Sequence, residues 1–132
     1  CAFMGCSSLK KADLANVKKI GFCAFADCAI LISVSMPIVE EIGMGAFSVS
    51  EFYLSYGYVE NGIAPTFVNV TLPETLTYMD EGVFAYCEGL QEVTLPASLT
   101  NIEKDAFKTG TMDIAARHII SNERMFFRFF IM

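Results

Sequence analysis

Apolar residues recur along the chain at a nearly constant interval. The clearest marker is a phenylalanine: the spacing from Phe3 to Phe25 is repeated from Phe25 to Phe47, and that from Phe84 to Phe107 is longer by a single position. A period in the twenties is typical of a solenoid, in which each short unit buries its apolar side chains only against neighbouring units. The pattern therefore predicts stacked repeats that share one continuous core.

Each unit repeats the same internal order of apolar positions. In the stretch YCEGLQEVTLPASLTNI, Cys87 is followed by Leu90, Val93 and Leu95, and then by Pro96. The alternation from Val93 to Leu95 is that of a half-buried strand, and a proline directly after it removes an N–H and ends the pairing. The equivalent segments predict strands near 9–14, 31–36, 67–72 and 90–95.

Stacking of these strands predicts internal columns of identical side chains. Parallel strands lie about 4.8 Å apart, so equivalent residues of successive units lie above one another. We expect all five phenylalanines of the repeat to stack inside the protein. We also expect Cys6, Cys28 and Cys87 to be reduced, buried and unreactive. The alternatives are a disulfide between adjacent units, which is geometrically conceivable although in-register Cβ atoms lie farther apart than a bridge prefers, and a metal site, for which no C-x-x-C spacing is present.

The segments VTLPASLTNIEKDAFKTG and VTLPETLTYMDEGVFAYC resemble the BspA-like leucine-rich repeat, L-P-x-x-L-x-x-I-G-x-x-A-F-x-x-C. The cysteine position is occupied by Ser50 and Gly110 in two units, and the glycine is kept only at Gly21 and Gly43. The resemblance implies a leucine-rich-repeat solenoid of the α/β horseshoe class. Such a fold consists mainly of short parallel strands, here in about five rungs, with turns and 3-10 segments on the convex side and little α-helix.

The resemblance also implies a function. Repeats of this kind are typical of surface-exposed proteins, so we expect a cell-surface or secreted location. We expect a non-catalytic module that binds a protein or glycan ligand, in adhesion to host or neighbouring cells. The alternative is a structural spacer within a longer repeat array, of which this chain is one part.

The period is interrupted between Phe47 and Phe84, which are 37 residues apart. We expect a solenoid over residues 1–113 with an insertion near 51–64, followed by an irregular tail or cap over 114–132. The insertion is either a decayed strand followed by a loop or an aromatic hairpin, since Asn61-Gly62 is a strong hairpin-turn signal. Tyrosine is enriched at interfaces, and such insertions often bind partners. The candidate partner-binding residues are Tyr53, Tyr56, Tyr58, Asn69 and Thr71.

The composition argues against nucleic-acid binding, membrane insertion and catalysis. The net charge is −6 with only nine basic residues, which argues against nucleic-acid binding. No apolar stretch approaches the roughly 20 residues of a membrane span, so we expect no membrane insertion by this segment. His118 is the single histidine, and nothing around it suggests a catalytic group. We therefore expect no enzyme, no cofactor and no metal. The apolar tail is a candidate for self-association.

Overall fold

The computed structural model describes residues 1–48, 66, 69–87, 89–90, 92–108 and 119–121. These residues contain no helix and consist of short strands joined by turns. The strands are β1 (Lys11–Asp13), β2 (Lys19–Ile20), β3 (Ser33–Ser35), β4 (Glu41–Ile42), β5 (Asn69–Thr71), β6 (Tyr78–Met79), β7 (Glu92–Leu95), β8 (Asn101–Ile102) and β9 (Ile119–Ser121).

All strand pairs of the described residues are parallel, and those among β1 to β8 join equivalent residues of different units. The strands β1, β3, β5 and β7 follow the predicted alternating segments; β1 pairs with β3, and β5 and β7 belong to a separate sheet with β9. In the β1–β3 pair Lys11 lies opposite Ser33, and in the β5–β7 pair Asn69 lies opposite Glu92. The four predicted strands are confirmed, and β1 and β3, whose flanking residues are described, are shorter than expected at three residues each.

A second sheet, in the order β2-β4-β6-β8, was not predicted from the sequence. It contains the isoleucine or methionine that precedes the phenylalanine of each unit, as in the pairing of Ile42 with Met79. Every strand of this sheet has two residues. Parallel strands joined by turns, without a helix in the described residues, fit a repeat solenoid.

Five phenylalanines form one continuous stack, which we call the Phe ladder: Phe3, Phe25, Phe47, Phe84 and Phe107. Successive ring centroids are 5.2, 5.4, 5.3 and 5.5 Å apart, and the rings are within 10° of parallel. The expected stacking is therefore confirmed. Burial is confirmed for four of the rings but was wrong for Phe3, whose exposed fraction is 46%. Within the ladder, this ring contacts only Phe25.

The Phe ladder passes directly from Phe47 to Phe84, although 37 residues separate them in the sequence. The second sheet does the same, since Glu41 pairs with Tyr78. Backbone hydrogen bonds also cross here, from Phe47 N to Val83 O at 2.9 Å and from Thr77 N to Glu40 O at 2.9 Å. The two ladders are therefore continuous where the period is interrupted. The predicted insertion near 51–64 lies outside the described residues.

The turns around each phenylalanine have a common geometry. They carry i to i+3 hydrogen bonds of the 3-10 type, such as Cys87 N to Phe84 O at 3.2 Å and Leu90 N to Cys87 O at 3.0 Å. In the described residues these remain turns and do not extend into a 3-10 helix.

The backbone adopts left-handed φ angles at several positions two residues before or after a phenylalanine. Glycine occupies some of these positions, and Cys23, Asp27, Tyr86 and Asp105 occupy others, with φ between 48° and 63°.

Strand β9 lies within the segment that the sequence suggested would be an irregular tail. It pairs with β7, with Val93 opposite Ile119, and so extends the sheet by one strand. The remaining residues of that segment lie outside the described residues.

Candidate functional site: the strand face

The outward side chains of β1 and β3 in one sheet, and of β5 and β7 in another, are polar, and together we call them the strand face. Its members alternate with inward residues such as Ala12, Val34, Val70 and Val93, of which Val70 and Val93 are buried in the core. The alternation follows from the pleat, which points successive side chains to opposite sides. The described outward residues are Lys11, Asp13, Ser33, Ser35, Asn69, Thr71 and Thr94.

Two of the five predicted binding residues belong to this face. Asn69 and Thr71 are exposed on β5, in register with Glu92 and Thr94. The other three, Tyr53, Tyr56 and Tyr58, lie outside the described residues. The structure therefore places Asn69 and Thr71 side by side on one surface.

Charge on the described outward side chains of the strand face is confined to β1, which carries Lys11 and Asp13. Beside it, β3 presents Ser33 and Ser35, two short hydroxyl side chains. Hydroxyl and amide groups both donate and accept hydrogen bonds. The outward side chains of β3 and of β5 therefore offer uncharged hydrogen-bonding groups.

Two exposed isoleucines lie beside the strand face and were missed by the sequence reasoning. Ile32, directly before β3, is 53% exposed, and Ile30 is 38% exposed. The preceding unit carries Lys10 and Ser8 at the equivalent positions. Comparison of the units position by position would have shown that this one has apolar residues where its neighbour is polar.

The cysteines of the repeat donate hydrogen bonds to the backbone of the adjacent unit. Cys28 Sγ lies 3.1 Å from the carbonyl oxygen of Phe3, and Cys87 Sγ lies 3.1 Å from that of Phe47. All five cysteines are free thiols, which the sequence predicted for Cys6, Cys28 and Cys87. Cys28 and Cys87 are buried as predicted, but Cys6 is only partly buried, because it belongs to the unit at the exposed end of the Phe ladder.

Burial also determines the acidity of these thiols. It raises the pKa of Cys23 to about 11 and raises those of Cys28 and Cys87 as well. A thiol reacts as its thiolate, so a buried thiol with a raised pKa is a poor nucleophile near neutral pH.

A second set of side-chain contacts between units comes from threonine and serine, and the sequence reasoning did not identify it. Thr75 Oγ1 donates to Val39 O at 2.7 Å, and Ser98 Oγ donates to Leu76 O at 2.7 Å. Thr75 and Ser98 occupy equivalent positions of two successive units. These hydroxyl groups therefore join successive units and are not free for a ligand.

Three carboxylates lie near Tyr78, which is on β6 of the second sheet. Partial burial, together with the negative charges of Asp80, Glu103 and Glu41, raises the pKa of Tyr78.

Across the described residues, no group of three acidic, cysteine or histidine side chains has an arrangement that would hold a metal ion. The same part of the chain offers no helix that could span a bilayer.

Comparison with known proteins agrees with the repeat geometry. The sequence matches the family model described as BspA type Leucine rich repeat region, in six copies over residues 1–59 and 64–125. No curated protein and no solved structure matches the chain. The family match covers most of the sequence, and its repeat is the one whose phenylalanines form the ladder. The chain belongs to the BspA-type leucine-rich repeat family.

Proposed function

We propose that the chain is a non-catalytic binding module that takes a protein or glycan ligand on its strand face. The observation that carries the proposal is that β3 and β5 each expose polar side chains, while their core-facing residues are fixed by the repeat. Repeat proteins commonly bind partners along such strand surfaces. Family membership supports the finer proposal of a cell-surface or secreted protein that acts in adhesion.

The proposed contact surface has a polar part and an apolar part. Asn69 and Thr71 on β5 supply hydrogen-bonding groups, and Ile32, directly before β3, supplies exposed apolar area. Tyr53, Tyr56 and Tyr58, from the predicted insertion, are proposed to add the rigid aromatic contacts that interface hot spots favour. We further propose a right-handed solenoid of about five rungs, since parallel crossover connections are nearly always right-handed.

The proposal includes the absence of any catalytic activity. It is supported by the raised pKa values of the buried thiols, which leave Cys28 and Cys87 protonated near neutral pH. The net charge of −6 supports a ligand other than nucleic acid.

Binding to immobilised extracellular-matrix proteins and to a glycan array tests the proposal. The test variants are Asn69→Lys/Thr71→Lys and Ile32→Lys, the latter taking the residue that the preceding unit has as Lys10. A matched control is Asn101→Lys, an exposed residue on β8 of the other sheet. We expect the face variants to weaken binding at least tenfold and the control to keep it.

Two results would count against the proposal. Equal binding by the face variants and the control would place the ligand elsewhere, and no binding to any probe would favour the structural spacer. Replacement of residues 51–63 by a short Gly-Ser linker tests the tyrosines separately. Loss of binding with the fold intact supports their role, whereas unfolding would show that they belong to the core.

A further inference from the structure

Strand β5 consists of the tripeptide Asn69-Val70-Thr71, which matches the acceptor pattern for N-linked glycans. The pattern requires serine or threonine two positions after the asparagine and any residue except proline between them. The chain has four other asparagines, none of which has serine or threonine two positions later: Asn16, Asn61, Asn101 and Asn122. Asn69 is therefore the single asparagine of this sequence that meets the pattern.

The structure presents both ends of this tripeptide on the same side of the strand. Asn69 and Thr71 are exposed, whereas Val70 between them is buried in the core. The alternation follows from the pleat, which turns residues i and i+2 to one side. A glycan on the Asn69 side chain would therefore point away from the core and leave Val70 buried.

The pairing of β5 is also compatible with a modified asparagine. β5 pairs with β7, where Asn69 lies opposite Glu92, and strand pairing uses main-chain groups. The next main-chain bond, from Leu72 N to Thr94 O at 3.1 Å, is likewise independent of the Asn69 side chain. An N-linked glycan is attached at the side-chain amide nitrogen and so leaves these bonds in place. The folded repeat can therefore carry a glycan at this position.

We propose that Asn69 is a glycosylation site that receives an oligosaccharide from a lipid-linked diphosphate donor during secretion. A bond forms between Nδ2 of Asn69 and the anomeric carbon of the first sugar. The bond from that carbon to the diphosphate oxygen breaks, the lipid diphosphate leaves with the electron pair, and the amide nitrogen loses one proton. The proposal rests on the secreted location proposed above, because the pattern marks acceptors in secreted proteins.

A glycan at Asn69 would also affect the strand face. An attached glycan is bulky and polar, and Thr71 lies on the same side of β5. The glycan would therefore cover the outward side of β5, and the ligand contacts proposed for Asn69 and Thr71 would belong to chains that lack it. Glycosylation would in this way regulate ligand binding at β5.

Expression of the full chain behind a cleavable secretion signal in a eukaryotic cell tests the proposal. The mass of the chain recovered from cells and medium is measured before and after peptide N-glycosidase, which removes an N-linked glycan and converts its asparagine to aspartate. Asn69→Gln removes the acceptor, and Thr71→Ala removes the hydroxyl group that the pattern requires. Glu103→Thr is the matched control, since it creates the same pattern at Asn101, an exposed residue of the short strand β8.

We expect one glycan on the unmutated chain, assigned to Asn69 by peptide mapping. Asn69→Gln and Thr71→Ala should carry none, and Glu103→Thr should carry two. Absence of a glycan from the unmutated chain would overturn the proposal, whether or not Glu103→Thr is modified at Asn101. A glycan that persists in Asn69→Gln would place the site elsewhere and also overturn it.

A binding measurement tests the regulatory part and separates it from the proposed function. The same chain made in bacteria that lack a glycosylation pathway is compared with the glycosylated form on the immobilised matrix proteins and the glycan array. We expect the unglycosylated form to bind at least tenfold more tightly, and equal binding would overturn the regulation. Absence of binding by both forms would count against the proposed function alone, because the mass measurement needs no ligand.

Discussion

Cys87 Sγ donates a hydrogen bond of 3.1 Å to the carbonyl oxygen of Phe47, a residue 40 positions earlier in the chain. The same contact joins Cys28 to Phe3, also at 3.1 Å, over 25 positions. The two residue types that mark the repeat are therefore linked physically across adjacent units. The cysteine is a structural donor in the stack, and this explains its place three residues after the phenylalanine.

Thiol labelling at neutral pH tests this structural role. Cys1 is exposed, whereas Cys23, Cys28 and Cys87 are buried, so Cys1 should react at the rate of a free thiol and the other three much more slowly. We expect at least about 100-fold protection, which corresponds to an opening free energy of about 3 kcal/mol. Labelling of unfolded protein in denaturant is the control. Reaction of Cys87 as fast as Cys1 in the native protein would contradict the buried position.

Stability should fall as the pH rises above about 9. Burial raises the pKa of Cys23 from 9.0 to about 11 and raises the pKa values of Cys28 and Cys87 from the same starting value. Between pH 9 and 11 the thiols of the unfolded chain therefore lose protons that the folded chain retains, so the unfolded state binds fewer protons and stability decreases with pH. Denaturant unfolding at pH 7, 9, 10 and 11 measures this effect.

Two variants separate the groups that contribute to this pH dependence. Cys87→Ala removes one buried thiol and should make the decrease between pH 9 and 11 shallower. Tyr78→Phe removes a phenol whose pKa is also raised, from 10.0, and should act only at the upper end of the range. A wild-type stability that stays constant up to pH 11 would contradict the raised thiol pKa values.

The Phe ladder should show a graded response to truncation. Phe47 is fully buried, so Phe47→Ala should lower the free energy of unfolding by about 3–5 kcal/mol. Phe3→Ala should cost only about 1–2 kcal/mol, because its ring is 46% exposed and loses less buried area. Denaturant unfolding measures both, and Phe47→Leu provides a milder variant if Phe47→Ala does not fold. Equal costs at the two positions would show that ring stacking does not define the core.

Gly43 and Gly21 form a matched pair for a test of backbone packing. A Cβ at Gly43 would lie 2.9 Å from the carbonyl carbon of Gly21 and 3.0 Å from Ile20 O, both backbone atoms of the adjacent unit. A Cβ at Gly21 would meet no atom within 4 Å. Gly43→Ala should therefore destabilise by about 1–3 kcal/mol, since the units must move apart. Gly21→Ala should change stability by less than about 0.5 kcal/mol. Similar values for the two variants would contradict the close approach at Gly43.

Several features of the fold followed from the sequence because they depend on spacing alone. The repeat period placed four strands, predicted the stacked phenylalanines and indicated that the cysteines are structural thiols. Such inferences succeed in a repeat protein because each unit contacts its neighbours in the same way, so one register applies to all of them. The candidate residues Asn69 and Thr71 were found for the same reason, since strand alternation assigns them to the surface.

Other features were decided only by contacts between units. The sequence predicted that Phe47 and Phe84 belong to one stack but left open whether a decayed strand or a hairpin lies between them, and only the structure shows that their rings lie 5.3 Å apart as adjacent members of the ladder. The second sheet was also not predictable, because strands of two residues have no usable periodicity and exist only through pairing such as that of Ile42 with Met79. Phe3 has the same sequence context as Phe25, yet it is half exposed because burial depends on a neighbouring unit. The sequence by itself determined which apolar positions recur in each unit. The tertiary structure decided which units lie next to one another, because the hydrogen bonds and ring contacts between units are non-local.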